Sequence, residues 1–116
     1  MIAVIFEVQI ADGKTQNYLN LAADLKTELG KIEGFISIER FQSLADPAKL
    51  LSLSFWKDEN AALQWRNIEM HRNAQIAGRS FIFKDYHLRV AHVIRDYGMF
   101  DRKEAPDDSK SIHNNQ

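Results

Sequence analysis

The chain has 116 residues, of which 45% are hydrophobic and 27% charged, as is typical of one globular domain. Its formal net charge of -1, from 15 Lys and Arg against 16 Asp and Glu, gives no general electrostatic attraction to nucleic acid or an anionic membrane. Cys is absent, which excludes disulfides, thiolate metal ligands and thiol nucleophiles and fits a reducing, cytoplasmic compartment.

Alternating apolar side chains predict a first β-strand from Ile2 to Ile10. Glu7 interrupts this stretch and no basic residues precede it, so a strand is favoured over a signal peptide. Asp12-Gly13 predicts a turn, and Thr15 is predicted to cap a first helix with an apolar stripe. That helix is expected to end between Gly30 and Gly34.

Two further strand patterns and a second helix follow. The runs Phe35–Leu44 and Lys49–Trp56 predict an antiparallel hairpin with a four-residue loop, Ala45–Ala48. Asp58 is predicted to cap a helix extending from about Asn60 to Gly78.

After a connecting stretch, Phe81–Asp85, a last strand is predicted from Tyr86 to Tyr97. The order β-α-β-β-α-β is that of the ferredoxin-like split βαβ fold, an α+β architecture with an antiparallel sheet and helices on one face. We expect this domain to cover residues 1–99 and the polar tail, residues 100–116, to be flexible.

The sheet face without helices is predicted to be too apolar to stay exposed. By strand parity it carries Ala3, Ile5, Glu7, Arg89, Ala91, Val93, Arg95 and Tyr97. A second copy of the chain would cover it in a two-fold dimer. Arg89 and Arg95, with Glu7 and Glu39 as partners, are interpreted as contacts in that assembly.

The second helix has an unusual distribution of polar residues. At 100° per residue, a sector expected to face water holds Glu59, Arg66, Glu69 and Asn73. The opposite sector holds Gln64, His71 and Gln75, with Asn60 and Asn67 at its edge. Because a buried polar group without a partner costs about 1–3 kcal/mol, these residues predict a cavity beneath the helix. The alternatives are hydrogen bonds to neighbouring backbone, or a helix break near Asn67.

Several side chains are predicted to meet at that cavity. On the last strand, His92 and Tyr86 have the parity that faces the helices. His71 is the candidate proton acceptor, since imidazole titrates near neutral pH, and Trp65 would form a flat wall for an aromatic ligand. Arg72 could neutralise an acidic ligand group. Each also has a structural alternative: a core histidine for His92, core packing for Trp65, and a surface position for Arg72.

Other chemistries lack the required motifs. The five glycines are isolated, so neither a dinucleotide fingerprint nor a phosphate loop is present. His87 and His92 have opposite strand parity, and no metal-ligand spacing occurs. Ser52 and Ser54 lack a nucleophile-elbow pattern. We therefore expect no phosphate cofactor, no metal and no hydrolytic triad.

Together with the order of elements, two segments resemble the antibiotic biosynthesis monooxygenase family. They are Trp65–Arg72 and Asp85–Met99, and the resemblance extends over roughly Met1–Met99. It implies a dimeric α+β barrel whose characterised enzymes oxygenate electron-rich aromatics, such as anthrones and quinols, without metal or flavin. In that mechanism the deprotonated substrate itself reduces dioxygen. The protein has only to position the substrate, remove its proton and exclude water.

The resemblance also carries expectations for single residues. In the anthrone-oxidising relatives a helical Trp is followed six residues later by a proton-transferring Tyr, and Trp65 and His71 have that spacing. The heme-degrading branch has an Asn in the first strand and a His ten residues after the Trp. Here no Asn lies between Ile2 and Ile10, and Gln75 occupies the second position, which disfavours heme.

The leading hypothesis is a homodimeric, cofactor-independent monooxygenase for a small aromatic or quinol-like molecule and dioxygen. Its predicted catalytic residues are His71, Trp65 and His92, and its predicted substrate-binding residues are Gln64, Asn67, Gln75, Arg72 and Tyr86. The alternatives are a non-catalytic binding or sensor protein on the same fold and, with less support, a heme-binding monooxygenase.

Overall fold

The protein is a four-stranded antiparallel sheet with two helices on one side. The computed structural model describes residues 1–80 and 82–109, and of residues 70–80 it describes only the helical backbone. The elements are β1 (Ile2–Ile10), α1 (Thr15–Leu29), β2 (Phe35–Gln42), β3 (Lys49–Trp56), α2 (Glu59–Ser80) and β4 (Phe83–His92). The strand order is β2-β3-β1-β4. This confirms the predicted α+β, ferredoxin-like plan.

Strand β1 lies inside the sheet and has the predicted bounds. It pairs antiparallel with β3, placing Ile2 opposite Trp56, and with β4, placing Ile2 opposite His92. Its even-numbered side chains are buried against the helices, as expected of a strand that is paired on both sides.

Helix α1 begins one residue earlier than a Thr15 cap would require. Thr15 is the first helical residue, and Lys14 holds the cap position without a side-chain hydrogen bond. The preceding Gly13 has φ of 74°, so this turn bends through a conformation that glycine adopts at little cost. The predicted cap at Thr15 is therefore wrong, whereas the buried stripe is confirmed: Tyr18, Leu21, Ala22, Leu25 and Leu29.

The hairpin between β2 and β3 has a longer loop than predicted. Strand β2 ends at Gln42, because the Ser43 hydroxyl accepts hydrogen bonds from the backbone N–H groups of Ala45 and Asp46, both at 3.2 Å. The strand therefore ends two residues before its predicted end at Leu44.

Close contact at Gly34 fixes the start of α2 against the sheet. A Cβ atom on Gly34, whose φ is 94°, would lie 3.0 Å from Cβ of Ala61. The Gly34 carbonyl accepts a hydrogen bond from the Lys57 N–H at 2.7 Å. The Asp58 carboxylate then accepts from the Ala61 N–H at 2.9 Å, which confirms the predicted cap.

Strand β4 is displaced toward the N-terminus relative to the prediction. It covers Phe83–His92 rather than Tyr86–Tyr97, so Phe83–Asp85 belongs to the strand instead of a connection. The displacement follows from β1, whose ladder with β4 extends from Ile10 opposite Phe83 to Ile2 opposite His92. Beyond His92, the Met1 carbonyl accepts one more hydrogen bond, from the Val93 N–H at 3.0 Å, and Met1 is the first residue of the chain.

Two apolar clusters form the core between helices and sheet. One is built around Trp56 and Trp65, and the other around Phe6, Tyr18 and Leu50. On the opposite face of the sheet neither α1 nor α2 packs, and Ile5, Leu53 and other side chains remain partly exposed. Neither helix in the described part of the chain has the length and apolarity needed to cross a membrane.

Candidate functional site

Helix α2 turns a different face to the core than the helical wheel predicted. Ala61, Ala62 and Trp65 are buried, whereas Gln64 and Asn67 are exposed. The prediction that these two amides face the core is therefore wrong, by about 100° of helix rotation. Two features determine the orientation of α2: the small alanines that pack at Gly34 and the large indole of Trp65. Burying their apolar surface stabilises the fold by more than it costs to leave Arg66 and Glu69 half-buried beside them.

Trp65 is part of the aromatic core. It is 1% exposed and its ring stacks on that of Trp56, with the centroids 6.1 Å apart and the planes at 24°. The Trp56 indole N–H donates to the Ser54 hydroxyl at 2.9 Å. One face of the Trp65 ring is thus occupied by Trp56, and because the side chain is 1% exposed, almost none of the ring is open to a ligand, which agrees with the core-packing alternative.

The predicted inward face of β4 is largely open. Tyr86, Val90 and His92 are exposed, although they have the parity that faces the helices. The register with β1 keeps them on the predicted helix-facing side, and they are open to solvent because β4 is an edge strand. Tyr86 still contacts the core, with its ring centroid 5.7 Å from that of Phe6.

Three predicted site residues, His71, Arg72 and Gln75, have side chains outside the described residues. The helical wheel that predicted their inward direction also placed Gln64 and Asn67 inward, and both of these are exposed. Their functional roles remain predictions.

An open groove lies between α2 and β4. Its volume is about 550 Å³, and its walls are Glu59, Asn60, Ala62, Leu63, Arg66 and Val90. A groove of this size suits a small organic molecule. Apolar side chains from both elements form much of the surface, and the charged groups come from α2 alone.

Among the described residues that line this groove, Arg66 is the cation. It is half-buried, and its Nε atom is enclosed without a hydrogen-bond partner among the described residues. The sequence predicted that Arg66 faces water, and the observed position corrects this. A guanidinium N–H that is withdrawn from water and unpaired favours the binding of an acceptor.

A second polar cluster is formed by α1, β2 and α2, which supply Tyr18, Arg40 and Glu69. Burial raises the pKa of Glu69 to about 7, and the nearby Arg40 guanidinium opposes that rise. Burial also raises the pKa of the Tyr18 hydroxyl, while a hydrogen bond with Arg40 acts against it. A carboxyl group that titrates near neutral pH can accept or donate a proton under physiological conditions.

The sequence analysis missed this cluster, although one signal was present. Arg40 has the same strand parity as Ile38 and lies directly opposite the buried Ser52, so it belongs to the helix-facing side of β2. An arginine on the inner face of a strand indicates a buried polar partner. Glu69 could not be identified in the same way, because the wheel placed it toward water.

Among the described residues, no group of three or more His, Asp and Glu side chains is arranged to hold a metal ion. The arrangement supports binding of a small molecule in the groove.

Comparison with known proteins gives the same family as the sequence motifs. The family model for antibiotic biosynthesis monooxygenase matches residues 1–76. The chain is 45% identical over 93 residues to a protein of Pyricularia oryzae named jasmonate monooxygenase ABM. That match covers 80% of this chain but 43% of the relative, so the chain spans less than half of the relative's length.

Solved structures share the fold. A conserved protein from Methanosarcina mazei Go1 is 28% identical, with a TM-score of 0.66 over 78% of this chain and 90% of that one. Rv0793 from Mycobacterium tuberculosis is 14% identical, with a TM-score of 0.70 over 84% and 98% of the two chains. With the family match extending from β1 into α2, this chain belongs to the antibiotic biosynthesis monooxygenase family.

Proposed function

We propose that this chain is a monooxygenase that oxidises a small, mainly apolar molecule with dioxygen and without metal or flavin. The groove between α2 and β4 carries the proposal, since it offers apolar walls and a volume of about 550 Å³. The family membership and the relative named jasmonate monooxygenase support the reaction class.

Two substrate classes fit this proposal. The first is the electron-rich aromatic or quinol class implied by the family resemblance. The second follows from the relative's name, because jasmonate is an apolar carboxylic acid without an aromatic ring. Either kind of molecule is small enough for the groove.

Proton removal is the step that the protein would catalyse. A base takes a proton from a substrate carbon, and the resulting carbanion transfers electrons to dioxygen and forms a C–O bond, giving a peroxide. Loss of the second hydrogen from that carbon with cleavage of the O–O bond leaves a carbonyl group and releases water, so the substrate supplies all the electrons. We propose His71 as the proton acceptor, aided by His92, and Trp65 as a positioning wall.

Oxygen consumption tests the function directly. Purified protein, treated with a chelator, is given a panel of quinols, an anthrone and jasmonate in an oxygen electrode. We expect substrate-dependent oxygen uptake with at least one of them. Saturable binding of a panel member without oxygen uptake would favour the alternative of a binding or sensor protein.

The His71→Ala variant tests the proposed base. Removing a positioned base lowers turnover by roughly 10²–10⁴-fold, while the melting temperature should change little. Asn67→Ala serves as a control on the exposed face of the same helix. Equal activity of the His71→Ala variant and the unmodified protein would exclude His71 as the proton acceptor.

We also propose that the protein acts as a homodimer. The support is the sheet face without helices, where Ile5, Leu53 and Phe55 are only partly buried in one chain.

A further inference from the structure

We infer that the groove between α2 and β4 binds an apolar carboxylic acid, and that the Arg66 guanidinium pairs with the carboxylate of this ligand. This inference rests on the proposed function only in taking the groove as the substrate site. It names the class of substrate and the residue that selects it.

The first support is the state of Arg66. Its Nε atom is enclosed yet has no hydrogen-bond partner among the described residues, although the residue lines an open groove. A guanidinium presents donors in a fixed planar fork that matches the two oxygens of a carboxylate. Because the enclosed Nε atom is closed off from the groove, a ligand carboxylate would pair with the terminal amino groups of Arg66, which form no ion pair with the described residues.

The second support is the distribution of apolar surface. Ala62 and Leu63 line the groove from α2, and Val90 faces them from β4. These side chains suit a hydrocarbon body and offer it no hydrogen bonds. A ligand with one charged end and an apolar remainder matches this arrangement, whereas a polar sugar or nucleotide does not.

The acidic residue of the groove sets the orientation. Glu59 is the first residue of α2, is exposed, and precedes Arg66 by about two helical turns. A carboxylate beside Glu59 would be repelled, whereas beside Arg66 it is attracted. The apolar body of the ligand would then extend along Leu63 and Val90.

A binding experiment with two matched ligands tests the inference without requiring turnover. Jasmonic acid and its methyl ester share the hydrocarbon body and differ in the charge of one group. Calorimetric titration should show that the acid binds roughly 10- to 100-fold more tightly than the ester, the range typical of a charge-assisted hydrogen bond. In nitrogen-detected spectra the Nε–H signal of Arg66 should shift with the acid and not with the ester.

The Arg66→Gln variant should lose this preference and bind acid and ester alike. Arg89→Gln is the matched control, because Arg89 lies on the opposite face of the sheet and pairs with Glu7 at 3.5 Å. It should retain the preference of the unmodified protein. If Arg66→Gln folds poorly, the acid-to-ester ratio and the shift of the Arg66 Nε–H signal in the unmodified protein supply the test, and Arg66→Lys should keep part of the preference because it keeps the charge.

Equal affinity for acid and ester, no saturable binding of the acid, or an unchanged preference in Arg66→Gln would each overturn the inference. These results differ from failure of the proposed function. A protein that prefers the acid through Arg66 but consumes no oxygen with any substrate would retain the site and lose the monooxygenase assignment.

Discussion

At the scale of single residues, Glu69 couples the stability of the fold to pH. Burial raises the pKa of this carboxyl from 4.5 to about 7 in the folded protein. The folded state therefore holds the proton more tightly than the unfolded chain does. Stability is highest below about pH 4.5 as far as this group is concerned, and it falls as the pH rises toward 7.

The Glu69→Gln variant should remove this pH dependence. The loss for the unmodified protein is on the order of 2–3 kcal/mol between pH 4.5 and pH 8, at about 1.4 kcal/mol for each pKa unit. Melting temperatures measured across this range should converge at low pH and diverge at high pH, with the variant more stable. Glu59→Gln, at an exposed position of the same helix, is the control. Parallel pH profiles for Glu69→Gln and the unmodified protein would contradict the buried position of Glu69.

At the scale of the elements, the orientation of α2 determines which residues reach the core. Trp65→Ala should destabilise the protein by about 3–5 kcal/mol, since it removes an indole that is stacked on Trp56. Gln64→Ala, the neighbouring exposed position, should change stability by less than about 0.5 kcal/mol. Urea unfolding of both variants gives the comparison. A large loss at Gln64 with a small one at Trp65 would reverse the assigned orientation.

Strand β1 and the start of α2 could be predicted from the sequence because the patterns that indicate them are local. The alternation in β1 and the Asp58 cap of α2 depend on neighbouring residues, and both are confirmed. The bounds of β4 could not be predicted, because they are determined by pairing with β1, which lies far away in the sequence.

The face of α2 was not predictable from polarity alone. The charged side chains of Arg66 and Glu69 are half-buried. The uncharged amides of Gln64 and Asn67 are exposed to solvent. Close approach at Gly34 and the stacking of Trp65 on Trp56 fix the helix, and both are contacts between distant parts of the chain. For the same reason the groove and its Arg66 were not foreseen as a binding site.

At the scale of the whole molecule, the chain is more extended than a compact domain of its length. The radius of gyration is 17.0 Å, whereas a compact domain of this size has roughly 13 Å. After β4, the residues Ile94, Met99 and Phe100 project exposed apolar side chains. This segment is held by local contacts, including the Arg102 guanidinium, which donates to the Gly98 carbonyl at 2.9 Å and lies 5.1 Å from the centroid of the Tyr97 ring.

Sedimentation tests the proposed dimer. Leu53 lies on the sheet face without helices, so Leu53→Glu should place a charge in the interface and shift the protein to a monomer at micromolar concentration. Leu19→Glu, at an exposed position of α1, should leave the mass unchanged. Circular dichroism confirms that both variants are folded. A monomeric mass for the unmodified protein would contradict the dimer.

Isotope labelling tests monooxygenation most directly. Chelator-treated protein is incubated under ¹⁸O₂ with the quinol, anthrone or jasmonate that supports oxygen uptake, and the product is analysed by mass spectrometry. We expect one oxygen atom derived from dioxygen in each product molecule, with no dependence on added metal or flavin. Product whose new oxygen comes from water, or activity that appears only when metal or flavin is added, would contradict a cofactor-independent monooxygenase.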